Sequence, residues 1–220
     1  MKKLLFWMVL IVGIVALIGS CAKKDEKTAA TAAADNTTST TSYISTTTTA
    51  SGSITMGDDT LSGVYASECL TSASTIAFFK ATGFWASEVN AYGQVFVVTG
   101  SDNISIELYA FTDTSCSNLS QCQKTVSDNV TFGSASGSNY PVTYNNQTQA
   151  LTVHTTAAET ALETLYSNAL DFIVGTPIEL PVSGSGLRYG LWTLSGTTWY
   201  EASSSSATPT SAGTVPHVKQ

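Results

Sequence analysis

The sequence predicts a mainly β, antiparallel domain interrupted by one short helix near residues 157–170. Three observations predict it. Aromatic and β-branched residues return between Met56 and Ala202 after a long Thr/Ser/Ala tract. Short runs there alternate in polarity with a period of two, the mark of a strand with one buried face. Turn residues separate those runs, as in hairpins. One segment alone breaks the alternation and carries apolar residues at helical spacing instead.

Taken in order, Gln94-Val95-Phe96-Val97-Val98 reads as a buried strand ending at Thr99-Gly100. In Ile104–Phe111 the residues Ile104, Ile106, Leu108 and Ala110 share one face, while Glu107, Tyr109 and Phe111 occupy the other. Val126–Phe132, Val142–Tyr144 and Ala150–Val153 read as further strands, with Asn145-Asn146 and Gln147 as the hairpin turn between the last two. Leu187–Leu194 and Thr198–Glu201 flank Ser195-Gly196, a two-residue turn signal. Thr156-Ala157-Ala158-Glu159 has the spacing of a capping box, with Ala161, Leu162, Leu165, Tyr166, Ala169 and Leu170 behind it. Pro177 and Pro181 restrict Ile178–Val182 to an edge strand or loop.

The domain sits inside a longer plan: residues 1–20 as a signal peptide, 21–56 as a tether, 57–202 as the β domain and 203–220 as a disordered tail. The chain opens Met1-Lys2-Lys3 and continues without charge from Leu4 to Ile18, a stretch short for a spanning helix, which needs ~20 residues. Leu17-Ile18-Gly19-Ser20-Cys21 then resembles the lipobox of bacterial lipoproteins. That resemblance implies cleavage before Cys21 and its lipidation, giving a mature protein anchored by acyl chains on an N-terminal cysteine. With Ala22 rather than Asp after the cysteine, it implies a cell-envelope location at the outer membrane. From Thr28 to Thr55 only Tyr43 and Ile44 are large, too little apolar surface to offset the entropy of ordering. The Ser/Thr-rich residues 203–214 have the same character.

Charge narrows the partners. The chain has 16 acids, nine bases and a net charge of −7. Between Met56 and Ala202 the imbalance sharpens to thirteen acids against Lys80, Lys124 and Arg188, a net −10. This balance argues against nucleic acid as a partner, since its phosphates call for a basic face.

A second resemblance covers most of residues 61–202. Gly63-Val64-Tyr65-Ala66-Ser67-Glu68-Cys69 is similar to the opening Gly-x-Trp/Tyr-x-x-x-Cys strand of small lipocalin-like domains carried by bacterial lipoproteins. Tyr109 with Asp113-Thr114-Ser115-Cys116 resembles their central strand and turn, and Trp192–Tyr200 their closing strand pair. The resemblance implies an up-and-down barrel, with a sandwich as the alternative, since the helix and Cys122 depart from the pattern. By spacing alone, Cys116 could pair with Cys69 or with Cys122; the resemblance favours Cys69–Cys116 and leaves Cys122 over.

Catalytic signals are sparse. The two histidines are His154, at a strand end, and His217, in the expected tail. A Ser–His–acid triad would have to use His154, yet Gly133–Gly137 reads Gly-Ser-Ala-Ser-Gly, with Ala where a nucleophile elbow needs Ser. No catalytic residue, metal site or cofactor is therefore expected. The aromatics are the remaining clue. Phe84 and Trp85 fall beside Gly83 in an expected loop, where they either contact a ligand or partner or plug one end of a barrel; Trp192 is a third candidate contact. The expectation is a non-enzymatic, lipid-anchored binding module. Its occupant is a small apolar or amphipathic molecule or an envelope protein, with a surface-displayed adhesin or coat component as the alternative.

Overall fold

The computed structural model describes residues 46–182 and 184–220. The leader, Cys21 and most of the tether lie outside the described residues. The strands, in chain order, are β1 (Ile54–Met56), β2 (Asp59–Leu61), β3 (Val64–Ser67), β4 (Ala91–Val98), β5 (Ile104–Phe111), β6 (Leu119–Phe132), β7 (Asn139–Val153), β8 (Pro177–Leu180), β9 (Leu187–Ser195), β10 (Thr198–Ser204) and β11 (Pro216–Lys219). Helix α1 (Ala73–Ala81) follows β3 and α2 (Thr156–Leu165) follows β7.

Eight strands close an antiparallel barrel. β3 to β7 form a meander, β9, β10 and β11 continue it, and β11 returns to β3. β8 and β9 share one edge of β7: Gln149–Thr152 pair with β8 and Asn139–Asn145 with β9. They act as one strand interrupted at 181–186. The β6–β7 pairing closes the wall and removes the edge that β6 would otherwise present.

β5 spans the residues expected, with Ile104 and Ala110 of its predicted apolar face buried in the interior. The expected hairpin at Asn145–Gln147 is instead continuous strand. Val126 faces Thr148 and the next residue, Ser127, faces Asn146, so Gln147 is the extra residue of a bulge in β7. A bulge uses the same small polar residues as a turn and bends the strand without reversing it. The expected disordered tail also differs. Pro216–Lys219 pairs with β10 on one side and β3 on the other and completes the wall.

Each end of the barrel is stoppered. At one end the β1–β2 hairpin buries Ile54, Met56 and Leu61 against Tyr65, Phe96, Trp192 and Trp199. Its turn needs Gly57, which has φ +61, and a Cβ there would fall 2.5 Å from the Tyr140 hydroxyl. At the other end α1, the 84–89 loop and α2 bury Phe79, Phe84, Trp85, Leu162 and Phe172. At ~25 cal/mol per Å2, an indole burying ~150 Å2 contributes about 4 kcal/mol at most.

α1 is a second helix that the sequence reading omits. Ser72 caps it by accepting from the Thr75 N–H. α2 begins one residue earlier than the capping box suggests, because Thr155 is extended (φ −135, ψ 153) and its hydroxyl accepts from Ala158 N–H at 3.1 Å. It stops at Leu165 rather than near 170, since Ser167 and Asn168 both adopt left-handed φ of 55. The Cys69–Cys116 disulfide is formed, and Cys122 is unpaired among the described residues.

Candidate functional site

The interior between the two stoppers is the candidate site, and register fixes which side chains reach it. Directly opposed residues of an antiparallel pair point to the same face. Tyr144 lies in the interior and opposes Arg188, so Arg188 also points inward. Trp192 opposes Glu201, Trp199 opposes His217, and Leu108 opposes both Gln94 and Gln123. A polar belt of Gln94, Gln123, Thr125, Arg188, Glu201, Ser203 and His217 thus circles the waist of a barrel whose ends are apolar.

Most of this belt is only half-buried: Gln94, Gln123, Thr125, Arg188, Glu201 and Ser203 retain accessible surface, as do the inward-facing Ile106 and Leu108. The layers above and below are shut, with Trp85 at 2% exposure and Trp192 and Trp199 at 0%. The inward-facing residues of the waist are thus less tightly packed than the layers above and below it. The wall is thinnest beside Glu201. β11 pairs only with Thr198–Tyr200 of β10, so Glu201–Ser204 extend beyond it. The 205–215 segment folds back there, with Gly213 so near that a Cβ would collide with the Glu201 carbonyl.

The electrostatics of the belt follow from this enclosure. Burial raises the Glu201 carboxyl to about 7, although a Ser203 hydrogen bond and the nearby Arg188 charge both oppose the shift. Burial likewise holds the Tyr144 phenol above its ordinary range. His217, 1% exposed, is pushed down to about 4 by burial and sits 3.1 Å from Gln94 Oε1 and 3.3 Å from the Trp199 carbonyl oxygen. Three buried donors in this region have no acceptor: Arg188 Nη1, Trp192 Nε1 and Trp199 Nε1. Leaving a buried donor unmatched costs ~1–3 kcal/mol each. Such donors call for acceptors that the described residues do not supply.

The residues singled out from sequence divide between the two stoppers. Phe84 (4% exposed) and Trp85 sit in the helical one, where Trp85 stacks on Phe79 at 4.3 Å; Trp192 sits in the hairpin one, edge-on to Trp199 at 4.7 Å. The structure therefore does not bring the three together, and Phe84 and Trp85 present no surface to a docking partner. His154 is exposed at the end of β7, where its backbone N–H donates to Ser120 O and its ring makes no hydrogen bond among the described residues. No group of metal-ligating side chains occurs among the described residues.

Sequence reasoning passed over Arg188, Glu201 and His217. The first two were legible as inward positions of strands whose phase Trp192 and Trp199 set. Nothing local marks His217, because its burial depends on pairing with β3, 150 residues earlier.

A second polar cluster lies on the outer wall. Glu107 is 2% exposed and accepts from the hydroxyls of Thr46 (2.7 Å), Thr48 and Tyr109. Tyr109 opposes Cys122, whose thiol burial and the Glu107 charge raise to about 12. A thiol so raised is a weak nucleophile. On the loop nearby, Asp113 accepts from the backbone N–H of Ser115, Ser117 and Asn118, which holds its carboxyl below the usual range and shapes the turn carrying Cys116.

No family model and no curated protein matches the chain.

Proposed function

We propose that this chain is a non-enzymatic, lipid-anchored cell-envelope protein whose barrel binds a small apolar or amphipathic molecule in its interior. The observation that carries this reading is the half-buried polar waist enclosed between two apolar stoppers, a concave site lined by mixed chemistry. The inward-facing aromatics also run opposite to a membrane-spanning barrel, in which the apolar band faces lipid. The anchor rests on the lipobox-like Leu17–Cys21.

Native mass spectrometry of the full chain extracted from membranes tests the reading. A bound small molecule released on unfolding is the expected result; a single unliganded mass with no uptake of added amphiphile would overturn it. The anchor is tested separately by acyl labelling, which Cys21→Ala should abolish.

A further inference from the structure

Arg188 is the single arginine among 220 residues, and the fold spends it inside the barrel. Glu201 lies near enough to feel its charge, yet Arg188 Nη1 is buried with no acceptor. β9 carries Arg188, Gly190 and Trp192 in succession along its inward face. The middle residue must be glycine: a Cβ there would lie 2.6 Å from Val142 Cγ1 and 3.0 Å from Trp192 Nε1. The indole nitrogen of Trp192 therefore lies over Gly190, the residue between it and Arg188 on that face. On β10, Trp199 packs edge-on against Trp192 and supplies another unmatched indole N–H.

Unmatched donors of this kind call for an acceptor, and the cationic one for a negative acceptor. A planar guanidinium suits an oxyanion such as a carboxylate, because two N–H groups can meet two oxygens. A cationic ligand would leave all three donors unsatisfied. The apolar remainder of such a ligand has Ile106 and Leu108 to lie against, the two inward aliphatic side chains that keep accessible surface at the waist.

We infer that the barrel selects amphipathic molecules bearing a carboxylate, with Arg188 gripping the carboxylate and the indole N–H groups of Trp192 and Trp199 completing its hydrogen bonds. The inference rests on the interior-binding reading above and specifies its ligand class.

The test uses the full chain and three probes sharing a ten-carbon tail: decanoate, methyl decanoate and decyltrimethylammonium, followed by calorimetry and Trp fluorescence at pH 7.5. Decanoate should bind at least tenfold more tightly than the ester, with the ammonium weakest. Arg188→Gln should bring decanoate down to the ester's affinity without weakening the ester. Arg188→Lys should restore part of the preference, and Trp199→Phe should reduce it while keeping an aromatic ring in the stopper. Retention of the Cys69–Cys116 bond and of native near-ultraviolet dichroism identifies variants that remain folded. Equal affinity for acid and ester, or a preference that survives in folded Arg188→Gln, would overturn the carboxylate assignment while leaving interior binding intact. Failure of all three probes to bind would overturn both.

Discussion

His217 Nε2 lies 3.1 Å from Gln94 Oε1, a contact between β11 and β4 that spans β3 within the closing seam. Because β11 is only four residues long, this side-chain contact supports a seam that few backbone bonds hold. Deleting Pro216–Gln220 should leave β3 and β10 with bare edges. The truncated chain should expose Trp199 to quencher and aggregate, whereas deleting the equally long 206–210 should not.

The histidine also sets an acid limit. Its folded value of about 4 lies below the ordinary 6.5, so the unfolded chain binds the proton more readily. The stability it contributes is complete above pH 6.5 and is lost as pH falls towards 4, amounting to about 3 kcal/mol at ~1.4 kcal/mol per unit. Urea midpoints between pH 4 and 7.5 should fall with acid in the wild type. In His217→Gln that part of the dependence should vanish.

Glu201 has the opposite sign. Its folded value of about 7 lies above the ordinary 4.5, so its stabilising share is present below pH 4.5 and is lost as pH rises through 7. Between 4.5 and 6.5 the two groups therefore offset one another. Glu201→Gln should steepen the acid loss caused by His217 and should make the protein more stable above pH 7. Among the titratable groups at the waist, the Tyr144 phenol is raised and His217 is already neutral, leaving Glu201 to respond between pH 6 and 8. Decanoate should thus bind more tightly at pH 6 than at pH 8, and Glu201→Gln should flatten that trend. A binding curve steeper in the variant would count against Glu201 as the responding group.

The Cys69–Cys116 bond joins residues separated by 47 positions, linking the end of β3 to the loop after β5. In the chain-entropy model a loop of that size stabilises by ~4 kcal/mol. Cys69→Ala with Cys116→Ala should lower the unfolding free energy by about that amount. In the native protein Cys122 should react with a thiol reagent only slowly, its thiol being raised to about 12, and rapidly once urea unfolds the barrel.

Thr155 hydroxyl caps α2 through the Ala158 N–H and also donates to Glu88 in the 84–89 loop. Thr155→Ala removes both bonds and should cost about 1–2 kcal/mol, while Thr156→Ala, one residue on, should cost a few tenths at most. Urea midpoints separate the two variants.

What the sequence disclosed tracks what is local. β5 was legible over Ile104–Phe111 because its alternation is uninterrupted, and β9 and β10 because Gly196 marks the turn between them. α1 escaped notice since Phe78 and Phe79 sit side by side, one 36% exposed and one buried, and blur any helical stripe. The bulge at Gln147 shares its composition with a turn, so one strand read as two. β11 draws its stability from neighbours more than a hundred residues away on one side, a pairing that no window of residues can display. The waist is half legible: its strands follow from their alternation, whereas Arg188 reads as a surface charge unless its phase on β9 is set by Trp192.

The attachment of Thr46 and Thr48 to Glu107 has a mechanical consequence. Glu107 sits midway along β5, with β4 and β6 hydrogen-bonded on either side. A pull arriving from the N-terminal side meets this rivet before it reaches β1. The load then enters through the broad flank of the barrel and is shared across three strands in shear. The hairpin stopper, which a direct tug would draw out like a cork, is shielded from the line of force.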